Sequence, residues 1–296
     1  MQRWSEDLTR WRDRGRFVSI LGREVFVVDE GEGPCVCVLH GFPTSGFDWR
    51  EAVATLRKTH RVIVADMPGY GLSSKSILSD YSLVKQADVL VALWQQLGVS
   101  KAHMAAHDMG TSVLCELLAR REEGALPITV QSVLLSNGSV YIEMAKLTPS
   151  QHLLRARRIG PLYAKLAMYV LFRLQFRRIL ARNDRVSDRE LRDLWALLTH
   201  NEGLARLPTL VGYIDERYAR VNRWLPPLRR LDIPALVLWG DRDPVAVVAM
   251  ADRLAREIPD AALVKLDGVG HYPMLEDSER FCSAMLTFWS RVERRE

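Results

Sequence analysis

The stretch Lys101–Leu114, KAHMAAHDMGTSVL, decides how the rest of the chain is read. Its apolar run ends at His107 and Asp108, turns through Met109, Gly110 and Thr111, and continues as an amphipathic segment to Arg121. That pattern predicts a strand, a sharp turn and a helix, with a carboxylate at the corner. Neighbouring backbone must pass close to such a corner, so the flanking residues have to be small, and Ala106, Gly110 and Thr111 meet the demand. This is the arrangement of a nucleophile elbow, with Asp at the corner where Ser is usual and Ala106 where the first glycine is usual.

Working outward, continuous apolar runs at 35–39 and 61–65 read as strands covered on both faces. They end in HGFP (40–43) and in DMPGYG (66–71), the latter a turn dense in glycine because two positive-φ positions are expected there. Residues 17–21 and 24–29 meet at Gly22 as a hairpin, and 128–135, 234–239 and 262–266 complete the strands. Helical periodicity falls at 47–59, 82–97, 245–258 and 278–292, and Trp4, Leu8 and Trp11 mark one face of a short helix docking on the body. Strand alternating with helix predicts an α/β fold, a mostly parallel eight-stranded sheet with helices on both faces. From about 140 to 230 the alternation stops and the pattern is helical, with breaks at Pro149, Gly160-Pro161, Asn183-Asp184, Gly203 and Pro208. The expected division is therefore a core domain of residues 1–138 and 230–296 and an inserted helical cap of residues 139–229.

The 296 residues are 48% hydrophobic and 26% charged, ample for a sizeable core. The net charge of +5 is mostly spread along the chain, which argues for solubility rather than a nucleic-acid partner. One local concentration, Arg155, Arg157, Arg158, Arg173, Arg177, Arg178 and Arg182, alternates with Leu, Tyr, Phe and Ile and reads as a solvated helix face, with contact to a membrane surface or acidic partner as the alternative. The longest apolar run, LAMYVLF, is too short to span a bilayer, so no stable membrane insertion is expected. The opening MQRWSEDLTRWRDRGRF mixes acids and bases without an apolar core, so no secretory signal is expected either. Cys35, Cys37, Cys115 and Cys282 have no disulfide or metal-ligand spacing, which fits buried thiols and a reducing, cytoplasmic location. No cofactor is called for, since the glycines of DMPGYG do not open a helix as a dinucleotide site requires.

In such sheets ligands bind at the carboxyl ends of the strands, where HGFP, DMPGYG and HDMG all fall. Asp108, Asp243 and His271 lie in three of these loops in the order nucleophile, acid, histidine, with Asp241 a competitor for the acid. HGFPTSGFDW (40–49), DMPGYGLSS (66–74), HDMGT (107–111), WGDRDPV (239–245) and GHYPMLED (270–277) resemble the epoxide hydrolase and haloalkane dehalogenase branch of the α/β-hydrolases. Within the cap, NGSVYIEMAKLTPSQ and LVGYIDERYARVNRW resemble mesoderm-specific transcript-like proteins, a subgroup whose activity is less well defined. The resemblance implies Asp108 as nucleophile, Asp243 as the orienting acid and His271 as base.

A carboxylate suits displacement at saturated carbon, because the resulting alkyl ester is stable enough to accumulate and is then hydrolysed by histidine-activated water. Its oxyanion would be held by the backbone N–H groups of Met109 and Phe42, since Pro43 has none to give. Dehalogenases of the branch resemble one another in a Trp after the nucleophile and often an Asn after the HG pair; Met109 and Phe42 stand there and offer no side-chain N–H. An epoxide instead leaves an alkoxide, for which the resemblance implies cap tyrosines, with Tyr213 as the expected one and Tyr141 its partner. The earlier family tyrosine would fall near His152, a departure from the pattern, while Tyr163 and Tyr169 read as packing residues with surface hydroxyls and Tyr218 is a further cap tyrosine. His107 and Trp49 are expected to support or pack the site, and Asp66 and Ser73 to fix the glycine turn. The expectation is an epoxide hydrolase taking a small hydrophobic epoxide and water, with a haloalkane dehalogenase and a low-turnover binding protein as alternatives and a homodimer left open.

Overall fold

The computed structural model describes residues 4–76 and 79–294. Met1 to Arg3, the first residues of the segment read for a signal, lie outside them. Eight strands form one sheet: β1 Arg16–Ile20, β2 Arg23–Glu30, β3 Cys35–Leu39, β4 Arg61–Ala65, β5 Lys101–His107, β6 Thr129–Ser136, β7 Ala235–Gly240 and β8 Ala261–Leu266. Their spatial order is β1-β2-β4-β3-β5-β6-β7-β8. β1 pairs antiparallel with β2 and β2 antiparallel with β4, and every later pairing is parallel. The apolar runs anticipated this: β3, β4 and β7 are almost wholly buried because helices cover both faces. One face packs on Trp94, Val113 and Met250, the other on Phe47, Trp49, Phe281 and Trp289. The first helix, Glu6–Arg14, seals the second face with Leu8 and Trp11.

Between β6 and β7 the chain is helical, as Pro149–Arg155, Gly160–Lys165, Tyr169–Ile179, Asp188–Thr199, Gly203–Leu210 and Tyr213–Arg229. Two expected breaks are starts instead, since Pro149 and Pro161 sit in the first turn of their helices, where a missing N–H costs nothing. Pro208 lies inside its helix. The last helix of the insertion is tied to the core through the buried Glu116, which accepts from Arg223 Nε at 2.8 Å and Trp224 Nε1 at 2.9 Å. The helix expected from Val245 begins only at Val248, because Asp243 Oδ1 takes the N–H groups of Val245 (2.7 Å) and Ala246 (3.0 Å). Likewise the helix expected over 47–59 divides into a tight turn at Gly46–Trp49 and a helix at Arg50–Leu56.

Candidate active site

β5 delivers Asp108 to its corner with φ +46°, a left-handed conformation that costs a non-glycine residue about 1–3 kcal/mol. Local bonds hold it there. Asp108 N–H donates to Ser136 O at 3.2 Å, and its carbonyl accepts from Thr111 N (3.1 Å) and Thr111 Oγ1 (2.6 Å). The small flanks are required: a Cβ on Gly110 would stand 2.4 Å from Leu39 O, and one on Gly41 would stand 2.8 Å from Asp108 Cβ. Phe42 N–H donates to Asp108 Oδ2 at 2.9 Å, so this backbone donor already faces the carboxylate. The N–H of Met109 makes no hydrogen bond to backbone among the described residues.

The loops after β7 and β8 bring the other two members together. His271 Nδ1 lies 2.7 Å from Asp243 Oδ2, whereas Asp241 turns away to accept from Gly268 N–H at 2.8 Å. Asn137, which follows β6 at φ +43°, donates to Asp243 Oδ2 at 2.8 Å and accepts from Gly240 N–H at 3.0 Å, pinning the acid from a third loop. His107 lies beneath, its Nε2 donating to His271 O at 2.8 Å, and burial pushes its own pKa down to about 4, so it stays neutral. Burial opposes charge on His271 too, but there the Asp243 carboxylate and its hydrogen bond outweigh it, with help from Asp108, and its pKa rises to about 9. Asp66 accepts from Gly46 and Leu72 N–H, and Ser73 Oγ donates to Asp66 O, which fixes the glycine turn. Trp49 packs on Phe281.

Asp108 and His271 look into a cavity of ≈ 870 Å³ including its open mouth, walled largely by apolar residues of the insertion such as Leu154, Met168, Leu171 and Phe172. The cap tyrosines divide. Tyr213 is buried with its ring 5.3 Å from that of Phe42, and its hydroxyl accepts from Gln151 Nε2 at 2.9 Å. Its own proton has no acceptor among the described residues, and burial, with the nearby Asp108 charge, raises its pKa, so the phenol keeps that proton. Tyr141 is a correction to the expected pair: its hydroxyl donates to Glu257 Oε2 at 3.0 Å, Arg253 lies 3.8 Å over its ring, and it is not among the cavity's lining residues. Tyr163, expected to place its hydroxyl at the surface, lines the cavity and accepts from Gln175 Nε2 at 3.0 Å. Tyr169 bonds Asp188 O, Tyr218 is exposed, and His152 is exposed while its neighbour Gln151 points inward.

Three residues were not foreseen. Gln151 reads as the end of a helix-capping pair with Thr148, a role it does fill, and only its inward amide gives it a second one. Asn137 is visible as Asn-Gly after a strand, a turn signal that says nothing of Asp243. Arg217, four residues after Tyr213 and so on the same helix face, is a buried cation behind the elbow. Its Nε donates to Ser112 Oγ at 2.6 Å, its Nη2 donates to Asp108 O at 3.1 Å and stands 4.0 Å from Asp108 Oδ1, and its guanidinium lies 4.7 Å from the centre of the Tyr213 ring. Together these contacts fix the elbow from behind and tie the Tyr213 helix to it. Among the described residues no cluster of His, Cys, Asp and Glu has the form of a metal site.

Comparison with known proteins agrees with this architecture. Residues 34–278 match the family model described as the alpha/beta hydrolase fold. The chain is 38% identical over 285 residues to the protein LipZ from Mycobacterium tuberculosis, covering 96% of this chain and 98% of LipZ. It is 32% identical to the human mesoderm-specific transcript homolog protein, covering 96% of this chain and 88% of that one. Among solved structures, a loop variant of the haloalkane dehalogenase DbeA from Bradyrhizobium elkanii superposes with a TM-score of 0.78 at 22% identity, covering 95% and 97% of the two chains, a likeness of fold.

Proposed function

From a chain that belongs to the α/β-hydrolase family, we propose an epoxide hydrolase that opens a hydrophobic epoxide to a diol through an ester on Asp108. The observation that carries the reading is a carboxylate facing an apolar cavity beside a buried phenol, Tyr213, whose hydroxyl is held by the Gln151 amide of that cavity's lining and keeps its own proton free. In the first step Asp108 Oδ1 attacks an epoxide carbon, the C–O bond breaks, and the departing oxygen takes the Tyr213 proton, with the Gln151 amide holding the phenol in place. Asp108 Oδ2, on the Phe42 N–H, then becomes the ester carbonyl. In the second step His271 takes a proton from water, the hydroxide adds to that carbonyl, and the oxyanion is held by Phe42 and Met109 N–H. Collapse releases the diol, which takes the proton from His271, and the carboxyl proton left on Asp108 restores the phenol. Each oxyanion donor contributes about 3 kcal/mol to such a step. Asn137 and Arg217 act as positioning residues, one for Asp243 and one for Asp108.

A departing halide would need side-chain N–H donors beside the nucleophile, and Met109 and Phe42 supply none, which weighs against the dehalogenase reading. Mass spectrometry of a His271→Gln variant treated with styrene oxide or with 1-bromobutane separates the readings. The expected result is a covalent adduct on the peptide carrying Asp108 from the epoxide alone. An adduct only from the bromoalkane would replace the proposal with dehalogenation, and none from either would favour a protein without this turnover.

A further inference from the structure

We propose that the outer face of the helices Gly160–Lys165 and Tyr169–Ile179 docks on an anionic lipid bilayer, so that apolar substrate passes from the lipid into the cavity beneath. The inference goes beyond the reaction and holds whichever bond the cavity cleaves. Large apolar side chains are exposed where a water-facing helix would carry polar ones: Ile159 52%, Leu162 59%, Leu166 63%, Val170 61% and Leu174 47%. Ile159, Leu162 and Leu166 are spaced as one helical face, and Val170 and Leu174 as the next, joined through the exposed Met168. A run of this kind on a water-soluble surface marks a contact site.

Charge selects the occupant. Between residues 144 and 183 there are nine Lys and Arg and no Asp or Glu. Arg155, Arg173, Arg177 and Arg182 are neutralised by Asp215, Asp188 and Asp277 from other segments, but Arg157, Arg158, Lys165 and Arg178 have no ion pair among the described residues. Exposed apolar groups interleaved with unpaired cations fit the boundary of a bilayer that carries negative headgroups. A second copy of the chain fits poorly, because a two-fold contact would set this cationic face against itself. No helix among the described residues is long and apolar enough to cross a membrane, so the contact is one of docking. The same two helices form the cavity wall: Met168 and Leu171 are exposed outside and also line the cavity that holds Asp108. Lipid-facing surface and cavity thus meet at one pair of side chains.

The test is co-sedimentation of the full chain with vesicles of phosphatidylcholine alone or mixed equally with phosphatidylglycerol. Binding to the mixed vesicles is expected to be about tenfold tighter or more and to weaken with salt, since each cation near an anionic surface contributes about fivefold. The variant Leu162→Gln/Leu166→Gln/Leu174→Gln should lose about tenfold or more on both vesicle types. Arg157→Gln/Arg158→Gln/Lys165→Gln should lose the preference for phosphatidylglycerol. Unchanged thermal midpoints would confirm that these exposed substitutions leave the fold intact. Absence of vesicle binding by the wild type, or a leucine variant that binds as well as wild type, overturns the proposal. So does sedimentation of the wild type as a dimer that the leucine variant converts to a monomer without any vesicle binding, which assigns the face to self-association.

Discussion

Tyr213 and His271 carry the proton movements of the proposed cycle, and each step isolates one of them. Removing the phenol oxygen in Tyr213→Phe takes away the acid for the departing alkoxide while leaving the Asp108 and His271 geometry in place. The variant should form the ester about a hundredfold more slowly, the usual contribution of a positioned general acid. Rapid-quench measurement of ester formation checks it, and an unchanged rate would remove Tyr213 from the mechanism. His271 answers to pH. In the resting protein its pKa of about 9 keeps it protonated at neutral pH, partly because Asp108 is negative. Esterification takes that charge off Asp108 and leaves it on the Tyr213 phenolate, while the Asp243 carboxylate that chiefly raises the pKa stays in place. Water activation needs the neutral ring, so breakdown of a preformed ester should accelerate with rising pH and level off near pH 9. A breakdown rate flat across that range would exclude His271 as the base.

At the scale of elements, the site depends on β5 and the helix Gly110–Glu122 meeting at an angle that only a bare Cα allows. Gly110→Ala would drive a methyl against the carbonyl oxygens of Leu39 (2.4 Å) and His40 (2.8 Å), backbone that cannot rotate away. The expected cost is about 1–3 kcal/mol or more, read by denaturant unfolding; an alanine variant as stable as wild type would show that close approach does not set this residue. The strands were legible as elements because β-branched runs covered on both faces leave a plain trace in sequence, and the elbow because small residues bracket an acid. Where helices begin was less legible. The apolar run from Val245 reads as the start of the helix that follows, yet the Asp243 side chain captures the N–H groups of Val245 and Ala246 and delays that start to Val248. Tyr141 shows the same limit. Its distance in sequence from β6 placed it near the cavity, but the backbone turns at Asn137 and sends the ring to Arg253 and Glu257.

Over the whole molecule, the parallel sheet gathers Asp108, Asp243 and His271 from three strand ends to one edge, and the helices inserted after β6 supply the apolar walls and carry the buried Tyr213. The three candidate residues stood out in the sequence because each lies in a loop with its own motif, and the fold brings His271 against Asp243 and sets Asp108 and His271 at one cavity. Gln151 and Arg217 could not, since a capping glutamine and an arginine on an otherwise charged helix have ordinary local roles, and only the packing of that helix on the elbow gives them others. The covalent route itself is tested most directly by one turnover of excess protein on styrene oxide in water enriched in oxygen-18, followed by digestion. If water attacks the ester carbonyl, one heavy oxygen appears in the Asp108 carboxylate and the first diol released is unlabelled. Label in the diol with none in the peptide carrying Asp108 would mean that water attacks the epoxide itself, and the carboxylate would not be the nucleophile.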